Sequence, residues 1–173
     1  MSAEKSEARL RIKPEKLKQF CVEAMKKCGM SEAHARITAE ILVTTDQMGT
    51  HSHGVVSLRQ YLKRMREGGL KAQGEPEVIS DGPCWACIDG KSVMGMVSAH
   101  KAMDTAIAKA RAVGMGYVTL RNGSHCGAVR YYANIAAKED MIGLCMSGCT
   151  PIMAVTGGKG ATTGNNPISY AVP

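Results

Sequence analysis

The stretch from Asp46 to Gly69 constrains the fold most, because it interrupts one helical pattern and begins another. The first pattern breaks at Gly49, and helical spacing resumes at Val55; His51 and His53 lie between them, among small and hydroxyl-bearing residues. A helix entrance offers unpaired backbone N–H groups and a partial positive charge, which suit an anionic substrate. Histidine can carry a proton near neutral pH. The stretch is therefore a candidate site, although an ordinary loop that contains histidines would have the same sequence.

Length and composition indicate one folded domain with a real core. The chain has 173 residues, of which 45% are hydrophobic and 21% charged. No apolar run approaches the roughly 18 residues that a membrane span needs. The N-terminus has no apolar signal region, and seven cysteines, an odd number, fit a reducing compartment better than a disulfide framework. We therefore expect a cytoplasmic protein that does not contact a membrane.

The positive charge leaves three interpretations open. The formal net charge is +7 and the pI about 9.1. The basic residues that cluster near the histidines or upstream of them are Arg59, Lys63, Arg64, Arg66, Lys13, Lys16, Lys18, Lys26 and Lys27. Attraction of small anions, a solvated basic face and a nucleic-acid-binding module would each explain this excess. Because Phe and Trp occur once each and no basic run alternates with aromatic residues, no nucleic-acid partner is expected.

The order of predicted elements indicates an α/β, or mixed α+β, domain. Polar residues 1–12 are expected to be at most lightly ordered. The predicted helices cover 14–28, a segment capped by Ser31, the segment from Val55 to Gly68, 97–113 and 129–138. The predicted strands cover 78–80, 84–89, 117–120 and 141–146. N-terminal helices are thus followed by a strand–helix–strand region.

Two later turns carry candidate functional residues. Residues 121–128 surround His125 with small side chains before a predicted helix, as in the first histidine stretch. The glycine-rich segment 157–164 lacks the Ser or Thr that a P-loop needs after Lys159. It also lacks the last glycine of a dinucleotide fingerprint, because Thr163 stands there. The segment could bend tightly beside a cofactor or form a hairpin-like connection.

Cys84 and Cys87 form C-x-x-C on a predicted strand, where they would face opposite sides, and no metal site is predicted.

Together these motifs resemble the malate/L-lactate dehydrogenase family that is unrelated to the Rossmann-type enzymes. The resemblance rests on residues 46–69 with Ser52-His53-Gly54, then on Asp89-Gly90 and the Ala-rich helix. It continues through 121–127, Gly157-Gly158 and 164–168, and so covers nearly the whole chain from the first helix onward. Several spaced motifs in the same order make the resemblance specific to the family, but not to one substrate.

The resemblance implies an NAD(P)-dependent 2-hydroxyacid dehydrogenase or 2-oxoacid reductase. It implies a homodimer with a non-Rossmann NAD(P)-binding fold and a small 2-hydroxy or 2-oxo acid as substrate. Within the motifs, His53, His125 and Ser52 correspond to catalytic positions, and we expect His53 to be the main acid/base. Tyr61 corresponds to the wall of the substrate site. The residues expected to contact NAD or NADP are Cys149, Thr150, Gly157, Gly158, Gly164 and Asn166.

Three departures from the family pattern bear on these expectations. Ser57 stands where many relatives have an arginine for the substrate carboxylate. Arg59 is the nearest replacement, but two residues along a helix turn the direction by about 200°. Asn165 replaces the usual Thr before Asn166-Pro167. The chain is also about half the usual length of such enzymes, so we expect a helical substrate and dimer region, 1–75, and a truncated cofactor domain, 76–173. An inactive fragment that acts only in assembly, or a basic anion- or nucleic-acid-binding module, is the alternative function.

Overall fold

The computed structural model describes residues 11–173, with five α-helices and five short strands. The expectation of light order for residues 1–12 falls almost entirely outside the described residues. Along the chain the elements are α1 (Pro14–Lys26), α2 (Glu32–Gln47), α3 (Leu58–Arg66), β1 (Glu77–Asp81), β2 (Trp85–Asp89), α4 (Gly95–Val113), β3 (Tyr117–Arg121), α5 (Arg130–Ala137), β4 (Gly143–Met146) and β5 (Ile168–Ala171). The mixed α/β class is therefore confirmed, and β5 is a strand that the sequence patterns did not predict.

The first two helices form as their sequences predict. Pro14 occupies the first turn of α1, where its missing N–H costs nothing. Ser31 caps α2 by accepting the His34 N–H at 3.3 Å. The apolar faces of the two helices bury Cys21, Met25, Ile41 and Leu42, each 0% exposed, in one core cluster. These helices supply packing, and the end of α2 delivers the chain to the first histidine stretch.

The helix after that stretch begins later than predicted. Two short 3-10 turns, His51–His53 and Val55–Ser57, precede α3. The N–H of His53 donates to the Thr50 carbonyl at 3.0 Å, and that of Gly54 to the His51 carbonyl at 3.3 Å. Tight turns therefore already pair the amides of His53 and Gly54 before α3 begins.

A three-stranded sheet carries the second histidine turn. β1 pairs antiparallel with β2, and β2 pairs parallel with β3 through the crossover helix α4. The predicted strand–helix–strand unit is thus confirmed. The carboxyl ends of β2 and β3 lie side by side, with Asp89 opposite Arg121, and the chain leaves β3 directly into the turn that carries His125.

A separate two-stranded sheet follows α5. β4 and β5 pair antiparallel, with Leu144 opposite Tyr170 and Met146 opposite Ile168. Between them, backbone bonds join Met153 and Thr163, so the glycine-rich segment is a hairpin-like connection. Within residues 11–173, no helix is both long and apolar enough to cross a membrane.

Candidate active site

The His53 turn is held by Asp46 at the end of α2. One carboxylate oxygen, Oδ2, accepts the Val55 N–H at 2.9 Å, and the other, Oδ1, lies 3.3 Å from His51 Nδ1. Gly54 passes so close that an added Cβ would lie 1.9 Å from Asp46 Oδ1. The glycine of the Ser-His-Gly motif therefore makes room for the carboxylate that shapes the turn.

Ser52 and His53 contact each other directly within this turn. The Ser52 hydroxyl lies 2.9 Å from His53 Nδ1. This contact engages one ring nitrogen of His53 and leaves Nε2 for another partner. The role that the resemblance implies for Ser52 stays a prediction.

The His125 turn is seated on the first residue of α4. The Gly95 N–H donates to the Ser124 hydroxyl at 2.7 Å, and that hydroxyl donates to the Val93 carbonyl at 3.1 Å. A Cβ at Gly95 would lie 2.2 Å from the Ser124 carbonyl oxygen and 2.6 Å from that of His125. The amino end of α4 is therefore covered by the chain's own backbone, and a pyrophosphate cannot bind there as it does in a Rossmann βαβ unit.

A buried carboxylate joins the strands that lead to this turn. Asp89 is 8% exposed and accepts hydrogen bonds from the Arg121 guanidinium, the Asn122 amide and the Lys91 backbone N–H. The Lys91 N–H and the Asn122 amide, followed by the Arg121 guanidinium, hold the pKa of Asp89 below its usual value. Asp89 therefore links the start of the His125 turn to the sheet through hydrogen bonds. Asp89-Gly90 is also the turn that the sequence predicted.

Arg130 connects the two histidine turns. It begins α5, five residues after His125, and its Nη1 donates to the Met48 carbonyl at 3.1 Å and to the Thr50 hydroxyl at 3.3 Å. Met48 and Thr50 immediately precede the His53 turn. This long-range contact, like that of Asp89, was missed in the sequence, because a lone Arg at a helix start gives no signal of its partner.

The structure brings His53, His125 and Tyr61 into one cluster. The ring centroids of His53 and His125 are 5.6 Å apart, and those of Tyr61 and His125 are 5.9 Å apart. The Tyr61 hydroxyl lies 2.6 Å from His125 Nδ1, and the Gly127 N–H also reaches that nitrogen at 3.4 Å. Tyr61, predicted as part of a substrate wall, is thus 3% exposed and bonded to a histidine.

The surroundings favour neutral forms of both groups. Partial burial of the ring, then the charge of His53 and that of Arg64, lower the pKa of His125. Burial and then Cys126 raise the pKa of Tyr61, and the nearby Ser57 side chain and the charge of Arg64 partly offset this rise. Both shifts keep the hydroxyl–imidazole pair uncharged near neutral pH. A group of three His, Cys, Asp or Glu side chains that could hold a metal ion does not occur among residues 11–173.

Of the other two predicted substrate residues, Ser57 lies near this cluster and Arg59 lies in a separate groove. The Ser57 hydroxyl donates to the Ser52 carbonyl at 3.2 Å, which keeps it at the His53 turn. Arg59 is exposed and lines a groove between α1 and α3 with Phe20, Val56, Lys63 and Arg66. That groove includes neither His53 nor His125.

The predicted cofactor residues lie on the connection between β4 and β5. Asn166 Oδ1 accepts the Cys149 N–H at 3.0 Å, and a Cβ at Gly164 would lie 2.4 Å from the Cys149 carbonyl. Cys149, Gly164 and Asn166 are therefore neighbours, and Thr150 follows Cys149. Gly157 and Gly158 lie elsewhere, in the turn closed by the Gly158 N–H and the Val155 carbonyl at 2.8 Å.

The beginning of this connection lies beside the histidine cluster. Burial raises the pKa of the thiol of Cys126, the residue after His125, and the nearby Ser147 side chain partly offsets this rise. The Thr150 hydroxyl and the side-chain NH2 of Asn166, both on exposed residues, can pair with the carboxamide of a nicotinamide ring. The residues present thus fit the nicotinamide end of a dinucleotide.

Comparisons with known proteins converge on one family. The family model described as malate/L-lactate dehydrogenase matches residues 12–173. The chain is 40% identical over 164 residues to malate dehydrogenase of Pyrococcus abyssi, covering 95% of this chain and 45% of that protein. It is 38% identical over 160 residues to L-sulfolactate dehydrogenase of Methanocaldococcus jannaschii, covering 92% and 46%. The structure of malate dehydrogenase from Pyrococcus horikoshii matches with a TM-score of 0.91 at 40% identity, covering 95% of this chain and 47% of that one. The chain spans about half the length of the curated relatives it matches.

Proposed function

The chain belongs to the malate/L-lactate dehydrogenase family, and we propose that it interconverts a 2-hydroxy acid and a 2-oxo acid with NAD or NADP. The observation that supports this most directly is the contact of Tyr61 with His125 Nδ1, beside His53. Oxidation of a secondary alcohol requires a group that removes the hydroxyl proton, and reduction requires a group that returns it. When bound, the nicotinamide cofactor supplies or accepts the hydride.

His125 is the better supported acid/base, in place of His53. A hydroxyl can both donate and accept, so Tyr61 can stay bonded to Nδ1 whether the ring is neutral or protonated. That contact fixes the ring and leaves Nε2 to exchange a proton with the substrate oxygen. The neutral ring that takes the alcohol proton at Nε2 in oxidation carries its own hydrogen on Nδ1 and donates it to the Tyr61 oxygen, and the imidazolium returns the proton from Nε2 in reduction. His53, held by Ser52, then lies beside the reacting group and lowers the pKa of His125 through its charge.

The nicotinamide end is proposed to contact Cys149, Thr150, Gly164 and Asn166. Two observations support this proposal: the Cys149 N–H donates to Asn166 Oδ1, which joins the two ends of the connection, and Ser147 lies near Cys126. Gly157 and Gly158 are proposed as a more distant part of the same site, since their turn belongs to the same connection. The choice between NAD and NADP depends on groups at the adenosine ribose.

We also propose the division into a helical substrate region, 1–75, and a cofactor region, 76–173, acting as a cytoplasmic homodimer. The proposal of two regions is supported by the change from helices α1–α3 to the sheets at β1. Exposed apolar side chains on the outer face of β4 and β5 support an assembly of chains.

Turnover by single-residue variants tests the proposed function. The full chain is assayed for NADH or NADPH oxidation with a panel of 2-oxo acids at millimolar cofactor. Replacing the acid/base in His125→Ala should lower kcat by about two to four orders of magnitude. His100→Ala is the matched control, because that imidazole pairs with Asp104 on α4, and it should leave kcat unchanged. Equal turnover in His125→Ala, or a large loss only in His53→Ala, would contradict the assignment of His125.

A further inference from the structure

The proposed reaction needs a cation for the substrate carboxylate, and the predicted residues do not supply one at the histidine cluster. Ser57 is neutral and donates to the Ser52 carbonyl. Arg59 lies in the groove between α1 and α3. Arg121 is bonded to Asp89, and Arg130 to Met48 and Thr50. Each of these groups is either uncharged, directed elsewhere or already engaged.

Arg64 is the basic residue that combines the required properties. It lies three residues after Tyr61 on α3, and residues three apart share one helix face. Its side chain is half-buried, and no described residue of 11–173 gives it a hydrogen bond or an ion pair. Lys63, its neighbour, pairs with Glu67 instead and lines the groove between α1 and α3. A half-buried guanidinium whose donors are not engaged by residues 11–173 is suited to bind an anion.

We propose that Arg64 binds the carboxylate of the 2-hydroxy or 2-oxo acid, beside Tyr61 and His125; the proposal rests on the function proposed above. A guanidinium presents two parallel N–H donors to a carboxylate, which fixes the orientation of the acid as well as holding it. The carbon next to that carboxylate carries the oxygen that exchanges a proton. A substrate whose carboxylate is bound by Arg64 therefore has this oxygen directed toward the imidazole. The effect of Arg64 on the pKa values of both His125 and Tyr61 agrees with this placement.

Oxalate binding tests the proposal without cofactor or turnover. Oxalate resembles a 2-oxo acid because its carboxylate is bonded directly to a second carbon that bears an oxygen. Its binding to the full chain can be followed by the NMR signals of the histidine rings. The unsubstituted chain should bind oxalate with a shift of the His125 signal. Arg64→Gln should weaken binding about ten- to a hundredfold, as expected for a lost charge-assisted hydrogen bond. Arg64→Lys, which keeps the charge but not the paired donors, should recover part of the affinity.

The matched control is Arg59→Gln, which removes an exposed cation from the same helix. It should bind oxalate like the unsubstituted chain, and the circular dichroism of both glutamine variants should stay unchanged. Unaltered affinity in Arg64→Gln, greater loss in Arg59→Gln, or no oxalate response in the unsubstituted chain would each overturn the proposal. Arg64-dependent oxalate binding together with absent turnover would keep the carboxylate site and reject the oxidoreductase function.

Discussion

At the scale of single residues, the site depends on close approaches that only glycine allows. The clearest case is Gly54, where the Asp46 carboxylate occupies the space of a side chain while it accepts the Val55 N–H. Gly95 plays the same part for the backbone of Ser124 and His125. Glycine thus contributes space to both histidine turns.

Gly54→Ala should lower the free energy of unfolding by about 1–3 kcal/mol, the cost of leaving a buried polar partner unpaired. The new methyl must push Asp46 away, which breaks its bond to the Val55 N–H. Urea unfolding measures the change. Gly160→Ala is the control, since nothing lies within 4 Å of its added Cβ, and its stability should match that of the unsubstituted chain. Equal stability of the two variants would show that Asp46 can move without cost.

The pKa of His125 determines the pH dependence of the proposed reaction. Its pKa lies below the usual 6.5, so the neutral ring predominates at pH 7. Oxidation, which uses the neutral ring, should lose kcat/KM as pH falls through this lowered pKa. Reduction, which uses the imidazolium, should lose it as pH rises through the same value. Arg64→Gln removes a nearby positive charge, so it should move both profiles to higher pH. Profiles for the two directions with the same pH dependence would contradict a single acid/base.

At the scale of secondary-structure elements, two polar contacts hold the histidine turns in place. Asp89 joins the carboxyl ends of β2 and β3, and Arg130 joins the start of α5 to the segment after α2. Each contact connects elements that are distant in sequence, and the residues concerned lie where an element begins or ends. The relative position of His53 and His125 therefore depends on helix and strand ends.

Asp89 should make stability depend on acidity. Its pKa is lower in the folded chain, so its contribution is fully present above the unfolded pKa of about 3.9. The contribution is lost as pH falls through the lower folded pKa. Asp89→Asn should remove this acid-dependent loss from urea unfolding measured against pH, and should lower stability at pH 7. Asp81→Asn, which changes a 63% exposed partner of Lys109, is the control. Identical pH dependence of Asp89→Asn and the unsubstituted chain would contradict the role of this carboxylate.

At the scale of the whole molecule, one face of the second sheet is apolar and uncovered. The outward side chains of β4 and β5 are Leu144, Met146, Ile168 and Tyr170, which are 51%, 58%, 65% and 78% exposed. They pair across the strands, so they form one continuous surface. Contiguous apolar surfaces of this kind are typical of protein interfaces.

The proposed homodimer should therefore weaken when this surface becomes charged. Tyr170→Lys should shift the chain toward monomer in sedimentation equilibrium, because a lysine at the interface would lose its hydration. Ile12→Lys changes a 60% exposed apolar residue outside the sheet and should leave the assembly unchanged. A monomeric unsubstituted chain, or equal association of both variants, would contradict a dimer formed through this face.

The sequence by itself determined most of the elements and the family. Apolar spacing and end signals such as Pro14 and Ser31 act within a few residues, so α1, α2 and the strand–helix–strand unit were predictable. The spaced motifs around His53 and His125 identified the family for the same reason, since each is a local string of residues. The short strand β5 was missed because its pairing with β4 crosses a long connection.

Only the tertiary structure decided which residues meet. Tyr61 and His125 are 64 residues apart, and nothing local to either residue specifies their hydrogen bond. Packing of α3 against the turn after β3 also decided that Tyr61 contacts a histidine and that Arg59 lines another groove. The contacts of Asp46 to Val55 and of Arg130 to Thr50 were hidden for the same reason. Side-chain periodicity fixes the face of one helix, but the partner of that face depends on how all the elements pack together.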